Sequence, residues 1–250
     1  MPIKECEGNH SVIWDSVAAC FTQKGTQIPN YLPGKENYDI VWPFLFQVLQ
    51  SQLSKEQNVS KKICDFGCGT GIFAEKMHQI GFDVFACDIS TEMISLACSS
   101  TQGGVTYEVG SLEFMQKYST YAMVTSIMVF QFIMNFESAI KVIDKCLVEK
   151  GILFFAIHTT EYVNECLKHG IKFRAKKNLE LPTEGEILIG NKWIKTYIRS
   201  AEWYDDILCS RGFTRLGYSL EGISAPFHST DSTINWKSAK YYIAWYRKGS

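Results

Sequence analysis

The stretch Ile63-Cys-Asp-Phe-Gly-Cys-Gly-Thr-Gly71 decides the fold of this chain. It reads as a short apolar strand with an acidic residue near its end, followed by a turn with three glycines at alternate positions. Glycine has no Cβ and adopts positive φ readily, so such a turn lets a ligand approach the backbone. A helix that follows directs its free N–H groups and the positive end of its dipole at the ligand. The stretch therefore predicts the first, ligand-binding crossover of a parallel α/β sheet.

A second acidic residue indicates what the ligand is. Asp88 ends the next apolar run, Phe82 to Cys87, and a carboxylate at that place suits a ribose diol. The glycine spacing is G-x-G-x-G, and Ile72 stands where the dinucleotide fingerprint needs its third glycine. Asp65 would repel a pyrophosphate but would attract a cationic amino group. We therefore expect a nucleoside with a cationic group and argue against NAD or FAD.

Further segments occur in a defined order along the chain: Asp65–Gly71, Asp88–Ser90, Glu108–Glu113, Met123–Ser126, Val148–Gly151 and Gly212-Phe213. In these segments the chain resembles the class I S-adenosylmethionine-dependent methyltransferases, most closely over residues 60 to 160. The resemblance implies an α/β fold with a Rossmann-like, seven-stranded, mostly parallel sheet, helices on both faces and an antiparallel last strand. It also implies S-adenosyl-L-methionine as the cofactor, and leaves the methyl acceptor open.

The alternation of strand and helix signals predicts one domain over residues 1–250. We expect an N-terminal helical cap (1–60), a cofactor-binding core (61–160), an active-site insertion after strand five (161–200), and a last helix with strands six and seven (201–250). Pro43 is expected to start a cap helix, and Gly151 to close the helix after strand four. The predicted strands are 62–66, 82–87, 105–109, 122–129, 152–157, 213–218 and 241–246, with a hairpin at Gly190-Asn191 in the insertion.

Composition excludes several classes of protein. The net charge of −1 gives no broad attraction to nucleic acid. No apolar run approaches the length of a membrane span, and the first ten residues lack the apolar core of a signal peptide. The nine cysteines show neither a C-x-x-C pair nor metal-ligand spacing, which indicates reduced thiols. We expect a cytoplasmic monomer or homodimer that contains no metal and binds neither nucleic acid nor membrane.

The resemblance places the methionine part of the cofactor over the glycine turn. It gives Asp65 the α-amino group and Asp88 both ribose hydroxyls; the alternatives are a turn role for Asp65 and a helix N-cap role for Asp88. Ser111 stands where the family often has an acid that binds the adenine amino group, so its hydroxyl or the backbone of Leu112 would replace that acid. The expected cofactor residues are Asp65, Gly67, Cys68, Gly69, Gly71, Asp88, Ile89, Met93, Gly110, Ser111, Leu112, Ser126 and Ile127. Ile89 and Met93 fit core packing almost as well.

Methyl transfer from a sulfonium is an in-line displacement, in which positioning provides most of the acceleration. A general base is needed only when the acceptor keeps a proton at neutral pH. His158, after strand five, and His228, after strand six, are the candidate bases, and the alternative for each is a surface or hydrogen-bonded loop histidine. The residues expected to contact the acceptor are Tyr31, Tyr38, Gln131, Phe132, Trp193 and Tyr197.

The resulting hypothesis is a methyltransferase that acts on an oxygen, nitrogen or carbon of a small organic molecule. The run Ser126 to Val129 lacks the Asn/Asp-Pro-Pro-aromatic sequence of enzymes that methylate base amino groups. The basic run Lys168 to Lys177 would contact an anionic acceptor or form a solvated face. Three alternatives stay open: a cofactor-binding regulator, an enzyme that uses the sulfonium without transferring its methyl group, and a protein methyltransferase.

Overall fold

The computed structural model describes residues 4–22, 33–53, 61–100, 103–118, 120–176, 180–223 and 237–249. Two of the candidate site residues, Tyr31 and His228, lie outside these ranges. The helices are α1 (Lys4–Val17), α2 (Pro33–Val48), α3 (Ile72–Gln79), α4 (Thr91–Ser100), α5 (Leu112–Lys117), α6 (Phe136–Cys146), α7 (Thr160–Lys168) and α8 (Ala201–Ser210). None of them is long and apolar enough to cross a bilayer.

The strands form two sheets. The large sheet has the order β3-β2-β1-β4-β5-β10-β9, with β10 antiparallel to both of its neighbours. Its strands are β1 (Lys62–Phe66), β2 (Asp83–Asp88), β3 (Thr106–Val109), β4 (Tyr121–Ile127), β5 (Leu147–His158), β9 (Thr214–Ile223) and β10 (Ala239–Arg247). The small, antiparallel sheet contains β6 (Phe173–Ala175), β7 (Thr183–Ile189) and β8 (Lys192–Ile198).

Both faces of the large sheet are covered, which explains why its central strand is apolar without alternation. Residues 152–157 of β5 are at most 2 % exposed. On one face they pack with α5, α6 and α8, and on the other with α2 and α3. The small sheet buries its own apolar face against α7 and the end of α1, with Phe173, Ile187 and Ile194 at the centre. This arrangement puts the insertion beside the carboxyl end of β5.

The predicted seven-stranded fold with an antiparallel last strand is confirmed, and so is the hairpin at Gly190, whose φ is 58°. The division into cap, core and insertion stays a prediction. Three elements were not predicted: α5, α7 and β6. They are short, and each depends on packing against the sheets for its stability.

Four predicted boundaries were wrong. Pro43 lies inside α2, which begins at Pro33. The hydrogen bond that Pro43 removes is offset by burial of the same helix at Val41, Leu45 and Val48. Gly151 does not close α6.

The helix α6 ends at Cys146, and β5 begins directly afterwards at Leu147. The strand accommodates Lys150 at φ 60° through a shift of register against β4. Strand four ends at Ile127 and not at Val129, because Met128 takes φ 61° and turns the chain into a 3-10 helix at Phe130–Phe132. Strand six is longer than expected and reaches Ile223.

Candidate functional site

The glycine turn is fastened to the end of β2 and open at its middle. The N–H groups of Gly67 and Cys68 both donate to the carbonyl of Cys87, at 2.8 and 3.0 Å. A Cβ on Gly67, whose φ is 74°, would lie 2.2 Å from Cγ2 of Val129. A Cβ on Gly69 would meet nothing within 4 Å. The turn therefore needs glycine for its own packing, and it leaves space for a ligand above Gly69.

Asp88 joins the glycine turn to the start of α4. Its Oδ2 accepts from the N–H of Gly69 at 3.0 Å, and its Oδ1 accepts from the N–H of Ser90 at 3.0 Å. Burial raises the pKa of Asp88, and these two hydrogen bonds oppose that rise. The side chain of Ser90 caps α4 at the N–H of Met93, so the helix does not need Asp88 as its cap.

Asp65 is a buried carboxyl at the end of β1. It is 2 % exposed, and its Oδ1 accepts from the hydroxyl of Thr125 at 2.8 Å. Burial raises the pKa of Asp65 to about 7, while the Thr125 hydroxyl opposes the rise. Within the described ranges no lysine, arginine or histidine forms an ion pair with Asp65 or Asp88. Two carboxyls without a cation, Asp65 buried and Asp88 half-buried, fit a ligand that brings its own positive charge.

Asp15 of α1 also belongs to this side of the site. Its Oδ1 accepts from the hydroxyl of Ser90 at 2.6 Å and from the N–H of Glu92 at 3.1 Å. Asp15 thereby ties the N-terminal helix to the start of α4, next to Asp88. No pattern in the sequence indicates this role, because a single aspartate on a polar helix face is common.

The turn between β3 and α5 lies beside Asp88. The N–H of Gly110 donates to the carbonyl of Asp88 at 2.9 Å, and the hydroxyl of Ser111 donates to Glu113 at 3.1 Å. The Ser111 hydroxyl thus has a protein partner already, which favours the backbone of Leu112 for the adenine contact.

Four other predicted cofactor residues lie along the same rim. Met93 is buried in α4, while Ile89 is half-buried after β2. At the end of β4 the hydroxyl of Ser126 is fully buried and has no hydrogen-bond partner among the described residues. Ile127 beside it is half-buried, at the last position of the strand.

On the other side of the sheet's edge, His158 ends β5 within a box of aromatic rings. Its ring stacks on Tyr162 at 5.3 Å and on Tyr241 at 6.1 Å, and meets Phe173 edge-on at 5.4 Å. Burial lowers the pKa of His158 well below its usual value, and the ammonium groups of two nearby lysines lower it further. The imidazole is therefore neutral at pH 7. Its Nδ1 is buried and has no hydrogen bond in the described part of the chain.

Two residues after β4 hold this region together. The side-chain carbonyl of Gln131 accepts from the backbone N–H of His158 at 3.1 Å, and its backbone carbonyl accepts from Thr196 of β8 at 3.1 Å. Phe132 packs edge-on against Trp14 of α1 at 4.8 Å. A small cleft adjoins Gln131 and His158 and is closed by Tyr197, Arg199 and Tyr204.

Two of the residues expected to contact the acceptor have other surroundings. Tyr38 was expected in a turn-rich stretch; it lies in α2 and stacks on Trp42 at 5.5 Å. Trp193 lies under the guanidinium of Arg174 at 3.8 Å, on the face of β8 opposite the buried Ile194. No contact described for Trp193 connects it to the residues at the end of β5.

These features define the class of protein: an α/β fold with two carboxyls, one buried and one half-buried, beside a glycine turn. A family model described as a methyltransferase domain matches residues 43–209, and the chain belongs to that family. It is a methyltransferase, and S-adenosylmethionine is its cofactor. The predictions of the family, the fold and the cofactor are confirmed.

Relatives and solved structures agree with this assignment. The ubiquinone biosynthesis O-methyltransferase of Pectobacterium atrosepticum is 28 % identical over 175 residues, which are 64 % of this chain and 67 % of that protein. The same enzyme of Pelagibacter ubique is 26 % identical over 98 residues, 38 % of this chain and 41 % of that one. The match thus spans between two fifths and two thirds of these relatives. The magnesium protoporphyrin IX methyltransferase of Synechocystis PCC 6803 with bound SAH has the same fold, with a TM-score of 0.64 at 15 % identity over 97 % of this chain and 99 % of that one.

Proposed function

We propose that this methyltransferase acts on an oxygen of a small organic molecule that binds between the glycine turn and the insertion. The observation that carries the proposal is the position of His158. It lies at the carboxyl end of β5, where ligands bind in open α/β sheets, with a neutral ring enclosed by aromatic side chains. An aromatic, largely enclosed surface fits a small organic acceptor better than a protein segment. The O-methyltransferase names of two relatives support oxygen as the atom.

The roles on the cofactor side follow from the charges there. When bound, S-adenosylmethionine supplies a methyl group on a cationic sulfur. We assign the α-ammonium group to Asp65, whose buried carboxyl accepts a hydrogen bond from the hydroxyl of Thr125. We assign the ribose hydroxyls to Asp88, which Gly69 and Ser90 hold in place. Met93, Ile89 and the turn at Gly110 would enclose the adenine.

His158 is the candidate general base. A base must be unprotonated at the working pH, and the lowered pKa of His158 keeps its ring neutral. Gln131 accepts a hydrogen bond from the backbone N–H of His158 and thereby fixes the position from which the imidazole side chain extends. His158 would take the proton of an acceptor hydroxyl as the oxygen attacks. Nitrogen or carbon acceptors, a protein acceptor and a non-transfer reaction are outcomes of the test below, and the cytoplasmic location stays a prediction.

The proposal is tested by separating cofactor binding from transfer. Purified protein is titrated with SAH by calorimetry and then incubated with methyl-labelled cofactor and a panel of phenols, carboxylic acids and amines. We expect Asp88→Ala to weaken SAH binding by a few kcal/mol, because two buried hydroxyls lose their partner. His158→Gln should keep the SAH affinity and lower kcat for a hydroxyl acceptor about 100-fold. Asp83→Ala, exposed on the same strand as Asp88, is the control for both measurements.

Four results would contradict the proposal or one of its residue assignments. Label on nitrogen or carbon would exclude the oxygen assignment, and intact cofactor after turnover of an acceptor would exclude methyl transfer. Wild-type turnover by His158→Gln would exclude the base role. Unchanged SAH affinity in Asp88→Ala would remove Asp88 from the cofactor site.

A further inference from the structure

A group of cations surrounds the ring of Tyr162, next to His158. The Nζ atoms of Lys172 and Lys240 each lie 5.9 Å from the centre of that ring, on which His158 stacks at 5.3 Å. Lys240 also lies 5.0 Å from the ring of Tyr241, the residue that pairs with His158 across β5 and β10. Two separate segments of the chain thus bring positive charge to the end of β5.

Of these two ammonium groups, only that of Lys240 forms an ion pair among the described residues. Lys240 is 4 % exposed and pairs with Glu36 of α2, Nζ to Oε1, at 2.6 Å. Glu165, the other acid of this region, accepts instead from the backbone N–H groups of Lys237 and Ser238. Lys172 has no carboxylate within 4 Å among the described residues. Among the described residues, the ammonium group of Lys172 therefore remains without a carboxylate partner.

Lys172 is held where it is by the fold. Its carbonyl accepts from the N–H of Leu188 at 2.8 Å, and its backbone takes φ 57°. Of the basic run noted in the sequence, Lys168, Arg174 and Lys176 are exposed, while Lys172 is half-buried. Burial and Lys240 lower the pKa of Lys172 to about 8. A half-buried ammonium beside a second ammonium is unfavourable unless an anion joins it.

We propose, building on the function given above, that the acceptor is an organic acid whose carboxylate pairs with Lys172 beside His158. One unpaired charge suits one carboxylate. A phosphate dianion would need several donors, for which arginine is the usual residue. The rings of Tyr162, Phe173 and Tyr241 would receive the apolar body of the acid.

The buried guanidinium nearby does not take this role. Arg199 is 5 % exposed, and its Nη1 and Nη2 donate to the carbonyls of Phe130 and Met134 at 3.3 and 2.7 Å. Its planar face lies against the rings of Tyr197 and Trp203. The guanidinium of Arg199 therefore binds groups of the protein itself, whereas the ammonium group of Lys172 can bind a carboxylate of the ligand.

The test compares two probes that differ in charge and hardly in shape, benzoate and benzamide. Each is titrated into the SAH-loaded full chain, as wild type, Lys172→Gln and Lys168→Gln. We expect wild type and Lys168→Gln to bind benzoate at least tenfold more tightly than benzamide, and Lys172→Gln to bind the two alike. Lys172→Arg should restore the preference. Equal binding of the two probes by wild type, or a preference that survives in Lys172→Gln, would overturn the proposal.

Two further measurements keep the outcome clear. SAH affinity is recorded for every variant: if wild type does not bind SAH, the proposed function fails, and if it binds SAH without preferring benzoate, only this inference fails. Should Lys172→Gln not fold, wild type alone gives the answer, because the preference should fall as the pH rises from 7 to 9.5 and Lys172 loses its proton. A preference that is constant over that range would contradict the role of Lys172. The groups that titrate or carry charge around it are Lys240, Glu36, Cys166, His158, Tyr162 and Tyr241.

Discussion

The two halves of the site have opposite charge and opposite construction. The cofactor half is acidic, with Asp15, Asp65 and Asp88 around the glycine turn. The acceptor half is basic, with Lys172 and Lys240 around His158. Asp65 and Asp88 lie at the carboxyl ends of consecutive parallel strands, whereas Lys172 and Lys240 come from two distant segments. A cationic ligand and an anionic ligand would each meet the half that attracts it, which brings the two reactants together in a fixed orientation.

The largest effect is expected in the cofactor half, at Gly67. In Gly67→Ala the new Cβ would lie 2.2 Å from Val129, at a φ of 74°. Overpacking and the left-handed conformation together should lower the free energy of unfolding by about 3 to 5 kcal/mol. Gly69→Ala, with nothing within 4 Å, should cost about 1 kcal/mol and weaken SAH binding. Urea unfolding and SAH titration measure both. Equal stability of the two variants would show that the turn is not packed against Val129.

Much of the cofactor half could be predicted from the sequence, because it is local. Strand, acid, glycine turn and helix follow one another within Ile63–Gln79, and parallel strands bring Asp88 to the same edge. Asp15 escaped prediction, since its partner Ser90 lies 75 positions away.

The acceptor half is the opposite case. The sequence pointed to His158 because it ends a strongly apolar strand. It could not show that Lys240 pairs with Glu36 across 204 positions. Nor could it show that Lys172 turns inward while Arg174 stays exposed, because the packing of α7 on β6 decides that contact.

The ion pair of the acceptor half provides the next prediction. The side chains of Lys240 and Glu36 are 6 % and 14 % exposed. Lys240→Met leaves a buried carboxylate unpaired and should cost about 3 kcal/mol, whereas changing both to Met and Gln should cost much less. The control is the surface pair of Lys195 and Glu184, exposed by 44 % and 62 %, where Glu184→Gln should cost less than about 1 kcal/mol. Urea unfolding measures all three costs. If Lys240→Met and Glu184→Gln cost the same free energy of unfolding, the pair of Lys240 and Glu36 would be exposed to water.

The smallest effect concerns the proton on Asp65, and its sign can be worked out. The pKa of Asp65 is about 7 in the folded protein and lower in the unfolded chain. Its contribution to stability is therefore fully present below about pH 4 and is lost as the pH rises through 7. An α-ammonium group needs the ionised carboxyl, so SAH binding must release this proton below pH 7. The affinity for SAH should fall by up to about tenfold per pH unit below 7. It should fall again at alkaline pH, where the amino group of SAH itself loses its proton.

Calorimetry from pH 5 to 9, in buffers of different ionisation enthalpy, measures how many protons are released when SAH binds. Asp65→Asn should bind SAH more weakly at pH 7.5 and with a flatter dependence on pH, and Asp83→Asn should behave as wild type, because Asp83 is exposed at the start of β2. The raised pKa of Asp88 contributes in the same direction and remains in Asp65→Asn. A wild-type affinity that is constant between pH 5 and 7 would mean that Asp65 is ionised before the ligand arrives. The carboxylate of Asp65 would then be charged before the ligand binds, as Lys240 and Glu36 are in their ion pair. The two halves of the site would then differ only in the sign of their charge.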